Sequence, residues 1–484
     1  MQCFAKQSAI IVSGLAFSMV SLTGQSAGAT TAASIEIQGV LPVAADQPQI
    51  QAILQNTATS AVVYGTGAYA GAYDIQGYLD TGTSGVLLSQ ETAQGFSLGM
   101  ASYNGTPVTF NDIALGGTDT YSVSQPYNVL TAPFNVGNDI NLGAAPPPVT
   151  AFSNPVNNVG MEINQSPANP IQGPVDIFGM PVMQGNVTVF GLLPANNVTN
   201  VSNPGETQTW IYKPGTAYNS NALTTNPGIV PTQYQVKLSF ASFSQFTQVN
   251  PSGATGPMQL ANPFIGPNPL NALSSNPPVD NTPPVTIAYT EPTTTGNVTR
   301  TSTGSFLFDT GAQASFISTD EAASLGISVV TDSGGNQTLV YTDTGRAVPN
   351  QFSLPVSGAG GVSVNAVGFY LNSLALQTTS GQTIKYVGAP VLVQNITLND
   401  PTTGQTLTLN GDLGMNFFEP SMTGDLSQLV SGPYSWMTFD QPNGLLGLSL
   451  ASSVPEPSAF LLFLGGSAAL VLLRRQRRCA QAAA

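Results

Sequence analysis

The tripeptide Asp-Thr-Gly occurs in both halves of this chain directly after an apolar run, and this duplication constrains the fold more than any other feature. The first copy lies in residues 77–84 and the second in residues 305–312. A serine follows each aspartate by nine positions, Ser89 in the first half and Ser318 in the second. A long pattern that recurs in the same order predicts two copies of one structural unit.

Further landmarks repeat downstream of both copies. They are the pairs Leu98-Gly99 and Leu325-Gly326, residues 111–115 and 372–376, and residues 176–180 and 412–415. In the last match both segments begin with an aspartate, Asp176 and Asp412. Two similar lobes that face each other are expected to place equivalent residues near a twofold axis.

The fold class follows from how few side chains are charged. Charged residues make up 7% of the 484 residues, too few for the polar faces of long amphipathic helices. Short β-branched runs separated by turn residues predict an all-β fold instead. Residues 247–283 are rich in Pro, Asn and Gly, which predicts a connection between a first β lobe at 35–246 and a second at 284–450.

Net charge and absent residue types exclude several classes of function. The formal net charge is −14, and an acidic surface repels phosphate backbones, so we expect no nucleic-acid partner. The chain has no histidine, and its two cysteines, Cys3 and Cys479, lie in the terminal segments. A His-based triad, a catalytic cysteine and an ordinary zinc site are therefore excluded, and we expect neither a metal nor a cofactor.

The N-terminal segment has the order of a secretory signal. Lys6 precedes an apolar stretch at 9–20, and small residues follow up to Ala29. This order predicts a signal peptide over residues 1–29 and export of the chain. An anchoring helix is the alternative, although the apolar run is short for a membrane span.

The C-terminal segment consists of three parts in a fixed order. Val-Pro-Glu-Pro-Ser at 454–458 precedes a mostly apolar stretch at 459–473 and an arginine cluster within 474–478. This order resembles the PEP-CTERM sorting signals of Gram-negative bacteria, which implies processing by an exosortase-type enzyme. A plain transmembrane tail anchor is the alternative. Both imply an exported chain held in the cell envelope, at least transiently, by its C-terminus.

An apolar strand that ends in Asp-Thr-Gly brings a carboxyl group to the edge of a lobe. Glycine permits a tight turn beside that carboxyl group, and the threonine hydroxyl can reach the other lobe. Two carboxyl groups about 3 Å apart cannot both ionise, so one can act as a base while the other acts as an acid. The duplication therefore predicts a carboxyl pair in a cleft between two lobes.

These motifs make the chain resemble the pepsin-like aspartic proteases, which are related to the retropepsins. Phe178-Gly179 and Leu413-Gly414 match the apolar-Gly motif that completes each active-site loop, and residues 438–448 resemble the closing hairpin. The resemblance implies a two-lobed all-β fold with its active site between the lobes. It also implies an endopeptidase that acts on polypeptide substrates and needs no cofactor.

The resemblance further implies roles for individual residues. Asp80 and Asp309 are the expected catalytic pair. The residues expected to support the two loops are Thr81, Gly82, Thr83, Thr310 and Gly311. A flap is expected before residues 111–115, and the Asn-Gly turn at 104–105 makes Tyr103 the flap candidate, with Tyr121 as the alternative.

Two features depart from the family pattern, and a third copy of the tripeptide occurs outside the two loops. Ala312 lies where many second lobes of this family carry Ser or Thr, although retropepsin-type enzymes also use Asp-Thr-Gly-Ala. Residues 30–60 contain no Lys or Arg, so a basic prosegment that covers an acidic cleft is not expected. A third Asp-Thr-Gly, at 343–345, lacks the apolar pair before its aspartate, and we expect an ordinary turn there.

A non-catalytic function is the main alternative. Low charge, many Asn and Thr residues and the sorting signal suit a matrix or binding protein of the envelope or of a biofilm that retains the protease fold. Two facing carboxyl groups favour the enzyme, because a binding protein has no need of them. A β-solenoid adhesin would require many short repeats, whereas this chain has one long duplication.

Overall fold

The computed structural model describes residues 21–22, 34–83, 85–103, 105–107, 109–115, 117–132, 134–135, 148–164, 175–192, 207–223, 225–238, 283–294, 296–358, 363–399 and 406–451. Within these ranges strands predominate and the helices are short, so the predicted all-β class is confirmed. Most strands belong to three large sheets, one in each lobe and one shared between them.

The first lobe is built on an eleven-stranded sheet. In spatial order its strands are Ser153–Val159, Tyr127–Thr131, Gln49–Asn56, Ile75–Leu79, Ile177–Phe178, Val86–Ser89, Glu162–Asn164, Gly117–Val123, Thr109–Leu115, Ile396–Asn399 and Thr406–Thr408. The last two come from the second half of the chain. Ile177–Phe178 runs parallel to Ile75–Leu79 and antiparallel to Val86–Ser89, and so lies between the strands that flank Asp80.

The second lobe repeats this arrangement in a nine-stranded sheet. In spatial order its strands are Ser21–Leu22, Ser34–Gln38, Thr383–Val393, Phe316–Ile317, Gly411–Leu413, Gly296–Phe308, Pro284–Thr293, Ser363–Gln377 and Phe352–Ser357. Gly411–Leu413 runs parallel to Gly296–Phe308 and antiparallel to Phe316–Ile317. Each lobe therefore inserts one short strand between the two strands that flank its Asp-Thr-Gly loop.

The third large sheet joins the two halves of the chain. Its six strands, in spatial order, are Phe134–Asn135, Gln208–Tyr212, Val187–Gly191, Tyr434–Asp440, Leu445–Leu450 and Tyr234–Lys237. Val187–Gly191 pairs antiparallel with Tyr434–Asp440, the first strand of the expected closing hairpin. This pairing ties the end of the chain to the first lobe.

Short elements complete the described part of the chain. The small sheets pair Ile327–Thr331 with Gln337–Tyr341, Ser102–Tyr103 with Thr106–Pro107, and Val43–Ala44 with Ser421–Met422 and Leu429–Val430. The α-helices are Gln90–Gly95, Met180–Met183 and Thr319–Ser324, and the 3₁₀ turns are Gly67–Tyr69, Val149–Ala151, Met415–Phe417 and Gln441–Asn443.

Two of these helices begin at the serine that repeats nine positions after each aspartate. The Ser89 hydroxyl accepts the backbone N–H of Thr92 at 3.1 Å, and the Ser318 hydroxyl accepts that of Glu321 at 3.1 Å. Ser is a favourable N-cap because its side chain satisfies an N–H that has no partner within the helix. The duplicated serine thus has the same structural role in both lobes.

The core beneath the second active-site loop is aromatic. Phe308, the residue before Asp309, is buried and meets Phe418 edge-to-face with ring centroids 5.4 Å apart. Phe308 also stacks on Phe439 of the interlobe sheet at 6.1 Å. Burial of each such ring stabilises the fold by roughly 2 kcal/mol, so this packing holds the loop firmly against the core.

The predicted terminal signals fall almost entirely outside the described residues. Only Ser21–Leu22 of the predicted signal peptide is described, and it pairs with Ser34–Gln38. The sorting signal at 454–478 lies outside the described part, as does nearly all of the 247–283 connection. None of the helices in the described ranges is long and apolar enough to cross a membrane.

Candidate active site

The first active-site loop surrounds the Asp80 carboxyl group with hydrogen-bond donors. Leu79 is fully buried at the end of its strand, and the chain then turns tightly through Gly82. Asp80 Oδ1 accepts the backbone N–H groups of Gly82 at 2.7 Å and Thr83 at 3.1 Å. Asp80 Oδ2 accepts the Thr83 hydroxyl at 2.7 Å. Three donors therefore stabilise a charged Asp80 carboxylate.

The second loop repeats the backbone part of this arrangement. Asp309 Oδ1 accepts the N–H groups of Gly311 at 2.7 Å and Ala312 at 3.1 Å, the same distances as in the first loop. Ala312 has no hydroxyl, so its side chain cannot donate the third hydrogen bond that Thr83 gives to Asp80. Two donors therefore stabilise a charged Asp309, and the pair is asymmetric.

Two threonines join the loops across the lobe interface. The Thr81 hydroxyl donates to the Phe308 carbonyl at 2.6 Å and accepts the Thr310 N–H at 3.0 Å. In the reverse direction, the Thr310 hydroxyl donates to the Leu79 carbonyl at 2.6 Å and accepts the Thr81 N–H at 3.0 Å. Both threonines are buried. This reciprocal set fixes the loops relative to each other and satisfies four buried backbone groups.

Each glycine lies against the carboxyl group of the opposite lobe. A Cβ added to Gly82 would lie 2.5 Å from Asp309 Cγ, and one added to Gly311 would lie 2.3 Å from Asp80 Oδ2. Both distances are far below a van der Waals contact. Glycine is therefore required at both positions, because any side chain would push the carboxyl groups apart.

The structure brings Asp80 and Asp309 into direct contact. Burial raises the pKa of Asp309 well above its ordinary value, and the nearby Asp80 charge and a hydrogen bond to Asp80 raise it further. Two backbone donors cannot offset these effects. The pair therefore holds one shared proton over a range of pH in which isolated carboxyl groups would both be ionised.

A cleft between the lobes opens above this pair. Both aspartates line it, together with Tyr78 and Ile177 from the first lobe and Leu307 and Phe316 from the second. This is the two-lobed arrangement that the duplication predicted, with the carboxyl pair lining the cleft between the lobes. Of the residues that were expected to support the two loops, Gly82, Thr83 and Gly311 line the cleft, whereas Thr81 and Thr310 are buried.

Sequence reasoning missed two residues of the cleft. Gln47 lines it and donates a side-chain hydrogen bond to the Gly311 carbonyl. It lies far before the first loop in the sequence, in a stretch without a motif. The other is Asp412, the first residue of the segment that resembles residues 176–180.

The strand register assigns Asp412 a different counterpart. Asp412 lies beside Leu307 and Phe316, and the residue in the equivalent place of the first lobe, beside Tyr78 and Leu87, is Ile177. Asp176 and Asp412, which begin the two matched segments, are therefore one residue out of register. Because side chains alternate between the faces of a strand, this single step moves a carboxyl group into the cleft.

Asp176 has a structural environment instead. It accepts the Ser89 N–H at 2.8 Å and the Thr92 hydroxyl at 2.6 Å, and so supports the start of the helix Gln90–Gly95. Burial raises its pKa to about 6, although the hydrogen bonds from Thr92 and Ser89 act in the opposite direction.

The two flap candidates lie on neighbouring hairpins. The expected hairpin is present, with Tyr103 paired to Thr106 and Gly105 in a left-handed conformation at φ 79°. Tyr121 belongs to the next hairpin, is buried and lines the cleft. The assignment of Tyr103 to a flap remains a prediction.

The third Asp-Thr-Gly forms a turn, as expected. The Gly345 N–H donates to the Tyr341 carbonyl at 2.8 Å, and Gly345 has a left-handed φ of 64°. The Asp343 side chain is 52% exposed and lies 3.9 Å from Arg300. Among the described residues, no three or more acidic, His or Cys side chains are grouped so as to hold a metal ion.

Two solved structures that are similar to this chain are distant matches. Basic 7S globulin from soybean matches with a TM-score of 0.31 and 8% identity, over 84% of this chain and 96% of the globulin. The protein edgp matches with a TM-score of 0.30 and 10% identity, over 83% of this chain and 95% of the other. No family model and no curated protein matches the sequence.

Proposed function

We propose that this protein is an aspartic endopeptidase in which Asp80 and Asp309 hydrolyse a peptide bond with one activated water. The observation that carries the proposal is the pair of carboxyl groups in contact, fixed by reciprocal threonine hydrogen bonds in the cleft between the two lobes. An arrangement this constrained is unnecessary for folding, since two buried carboxyl groups in contact destabilise a protein.

The asymmetry of the two loops assigns the roles. Asp80, with three donors, carries the charge and acts as the base, whereas Asp309 holds the proton and acts as the acid. Asp80 removes a proton from the water as its oxygen bonds to the peptide carbon, and Asp309 protonates the carbonyl oxygen. The tetrahedral diol then collapses. Asp80 gives its proton to the leaving nitrogen, the C–N bond breaks, and Asp309 regains a proton from a diol hydroxyl.

The shape and chemistry of the cleft suit a polypeptide. Apolar side chains from both lobes line it on either side of the aspartates, among them Ile177, Leu307 and Phe316. Such a lining favours substrates with apolar residues near the cleaved bond, because their burial supplies binding energy. Export is part of the proposal, with polypeptide substrates outside the cytoplasm, an exosortase-type processing partner and C-terminal membrane attachment.

A digestion experiment tests the proposal. Purified protein is incubated with a denatured protein substrate at acidic pH, with and without a pepstatin-type inhibitor, and the fragments are identified by mass spectrometry. We expect cleavage that the inhibitor abolishes and a chelator leaves unchanged. Folded protein that cleaves nothing across the acidic and neutral range would instead support the non-catalytic matrix or binding protein.

A further inference from the structure

The second lobe places an acidic residue where the first lobe has an apolar one. Ile177 and Asp412 occupy equivalent positions. Each is paired with the residue two positions before the aspartate of its lobe, Tyr78 and Leu307. Ile177 packs with Leu87 and Tyr121 in a small apolar cluster, as expected for a cleft wall. Asp412 instead presents a carboxyl group to the cleft from the same wall of the other lobe.

The Asp412 carboxyl group is buried and incompletely paired. It is 2% exposed, and its Oδ1 atom has no hydrogen-bond partner. The carboxyl group is hydrogen-bonded to Asp309. An unpaired buried oxygen on an ionisable group is costly to the fold, and such groups in a cleft are found where function requires them.

The charges around Asp412 are all acidic. Asp309 and Asp80 are the ionisable groups that face it, while Tyr78 and Tyr121 line the cleft from the first lobe. Its partners on the neighbouring strands, Leu307 and Phe316, are uncharged. No Lys or Arg is among the described residues that line the cleft. None of the described residues that line the cleft therefore neutralises a charge on Asp412.

Asp309 consequently lies between two other carboxyl groups. Burial raises the pKa of Asp412 well above its ordinary value, and the charge of Asp412 in turn contributes to the raised pKa of Asp309. Three interacting carboxyl groups, two of them hydrogen-bonded to Asp309, lose their protons in separate steps. The last proton is retained best at Asp309, because it can be donated there to either neighbour.

Building on the protease function proposed above, we propose that Asp412 is a positioning residue that keeps the transferable proton on Asp309. It thereby preserves the one-proton form of the catalytic pair to higher pH than an apolar residue would. The proton does not pass through Asp412 during catalysis. Asp309 still gives it to the substrate carbonyl oxygen and regains it when the diol collapses.

The experiment compares pH profiles of kcat/KM on one peptide substrate. The variants are Asp412→Leu, which resembles the first lobe, and the nearly isosteric Asp412→Asn, with the exposed Asp343→Asn as the control. We expect both Asp412 variants to lose activity at lower pH than the wild type, with the descending limb shifted by about 1 to 2 pH units. The Asp343→Asn profile should coincide with that of the wild type.

A purely structural role would give a different result. Both Asp412 variants would then lose stability or maximal activity while the descending limb stayed in place, and this outcome would overturn the proposal but leave the protease function intact. If the wild type cleaves nothing, an NMR titration of isotope-labelled aspartate carboxyl groups still tests the proposed role of Asp412. The Asp309 signal, identified by its absence in Asp309→Asn, must titrate at lower pH in Asp412→Leu than in the wild type, or the proposal fails.

Discussion

The first active-site loop gives Asp80 three hydrogen-bond donors, whereas the second gives Asp309 two and places another carboxyl group beside it. The backbone of the two loops is nearly identical, down to the same N–H distances. The difference lies in two side chains, Thr83 against Ala312 and Ile177 against Asp412. Both differences favour charge on Asp80 and the proton on Asp309.

This comparison shows how a duplicated unit can acquire two chemical roles. The symmetric parts, namely the Asp-Thr-Gly turns and the crossed threonines, bring the two carboxyl groups together. The asymmetric parts decide which carboxyl group is the acid and which is the base, because they change the relative stability of the two charged forms. Changing the symmetric parts should therefore disrupt the carboxyl pair. Changing the asymmetric parts should shift the proton between its two members.

The largest effect is expected when either carboxyl group is removed. Asp80→Asn and Asp309→Asn should each lower kcat by about 10³-fold or more, because the two groups act as one unit. The fold should persist, since Asn is nearly isosteric and relieves the repulsion between the carboxyl groups. Circular dichroism and kcat on a peptide substrate measure the two effects.

The third Asp-Thr-Gly provides the matched control for these variants. Asp343→Asn changes the same tripeptide in an exposed turn and should retain full activity. Loss of activity in Asp343→Asn together with full activity in Asp309→Asn would show that the second lobe contributes a different aspartate.

The crossed threonines should have equal effects on stability if the lobe interface is symmetric. Thr81→Ala or Thr310→Ala leaves a buried N–H and a buried carbonyl of the other lobe unpaired, which should cost about 2–4 kcal/mol of unfolding free energy. Ser variants keep the hydroxyl and should cost less. Urea denaturation of both single variants and of the double variant measures the coupling. Additive effects in the double variant would contradict a shared network.

The buried acid of the first lobe should make stability depend on pH. The pKa of Asp176 is raised to about 6 from an ordinary value of 3.8, so folding favours its protonated form. Its contribution is fully present below the ordinary value and is lost as the pH rises to about 6, which amounts to about 3 kcal/mol. The equivalent position in the second lobe is Gly411, which has no such group.

Urea denaturation at several pH values tests this expectation. The wild type should lose stability between pH 3.8 and about 6, and Asp176→Asn should lose less over the same interval. Asn can still accept the Ser89 N–H, so the variant should fold. An unchanged pH dependence in Asp176→Asn would assign the effect to other buried acids, such as Glu419, whose pKa burial also raises.

The smallest expected effect concerns the single hydroxyl that distinguishes the loops. Ala312→Thr should add a donor to the charged Asp309, lower its pKa and shift the descending limb of the pH–activity profile to lower pH by about 1 unit. Thr83→Ala should remove a donor from Asp80 and leave the descending limb in place. Profiles in which both variants move the same limb would contradict the assignment of acid and base.

Several features of the site could be predicted from local sequence. Apolar residues before Asp-Thr-Gly predicted buried strands that end in carboxyl groups, and the serines after them are N-caps in both lobes. The third tripeptide was correctly expected to be a turn, because no apolar pair precedes it. These features depend on residues a few positions apart, and short-range patterns encode them directly.

Pairing between distant segments could not be predicted from local sequence. Ser34–Gln38 joins the sheet of the second lobe, Ile396–Asn399 joins that of the first, and Gln47 reaches Gly311. Each of these contacts depends on which surfaces remain uncovered after the lobes have packed. Sequence proximity carries no information about that packing.

The sequence by itself determined that two equivalent loops exist, which aspartates they carry and that the surrounding fold is β-rich. Only the tertiary structure decided that Asp412, rather than Asp176, faces the catalytic pair. The physical reason is the alternation of side chains along a strand, since a register difference of one residue moves a side chain from the core to the cleft. An aspartate begins both matched segments, but the pairing with the neighbouring strands places Ile177, not Asp176, at the position equivalent to Asp412.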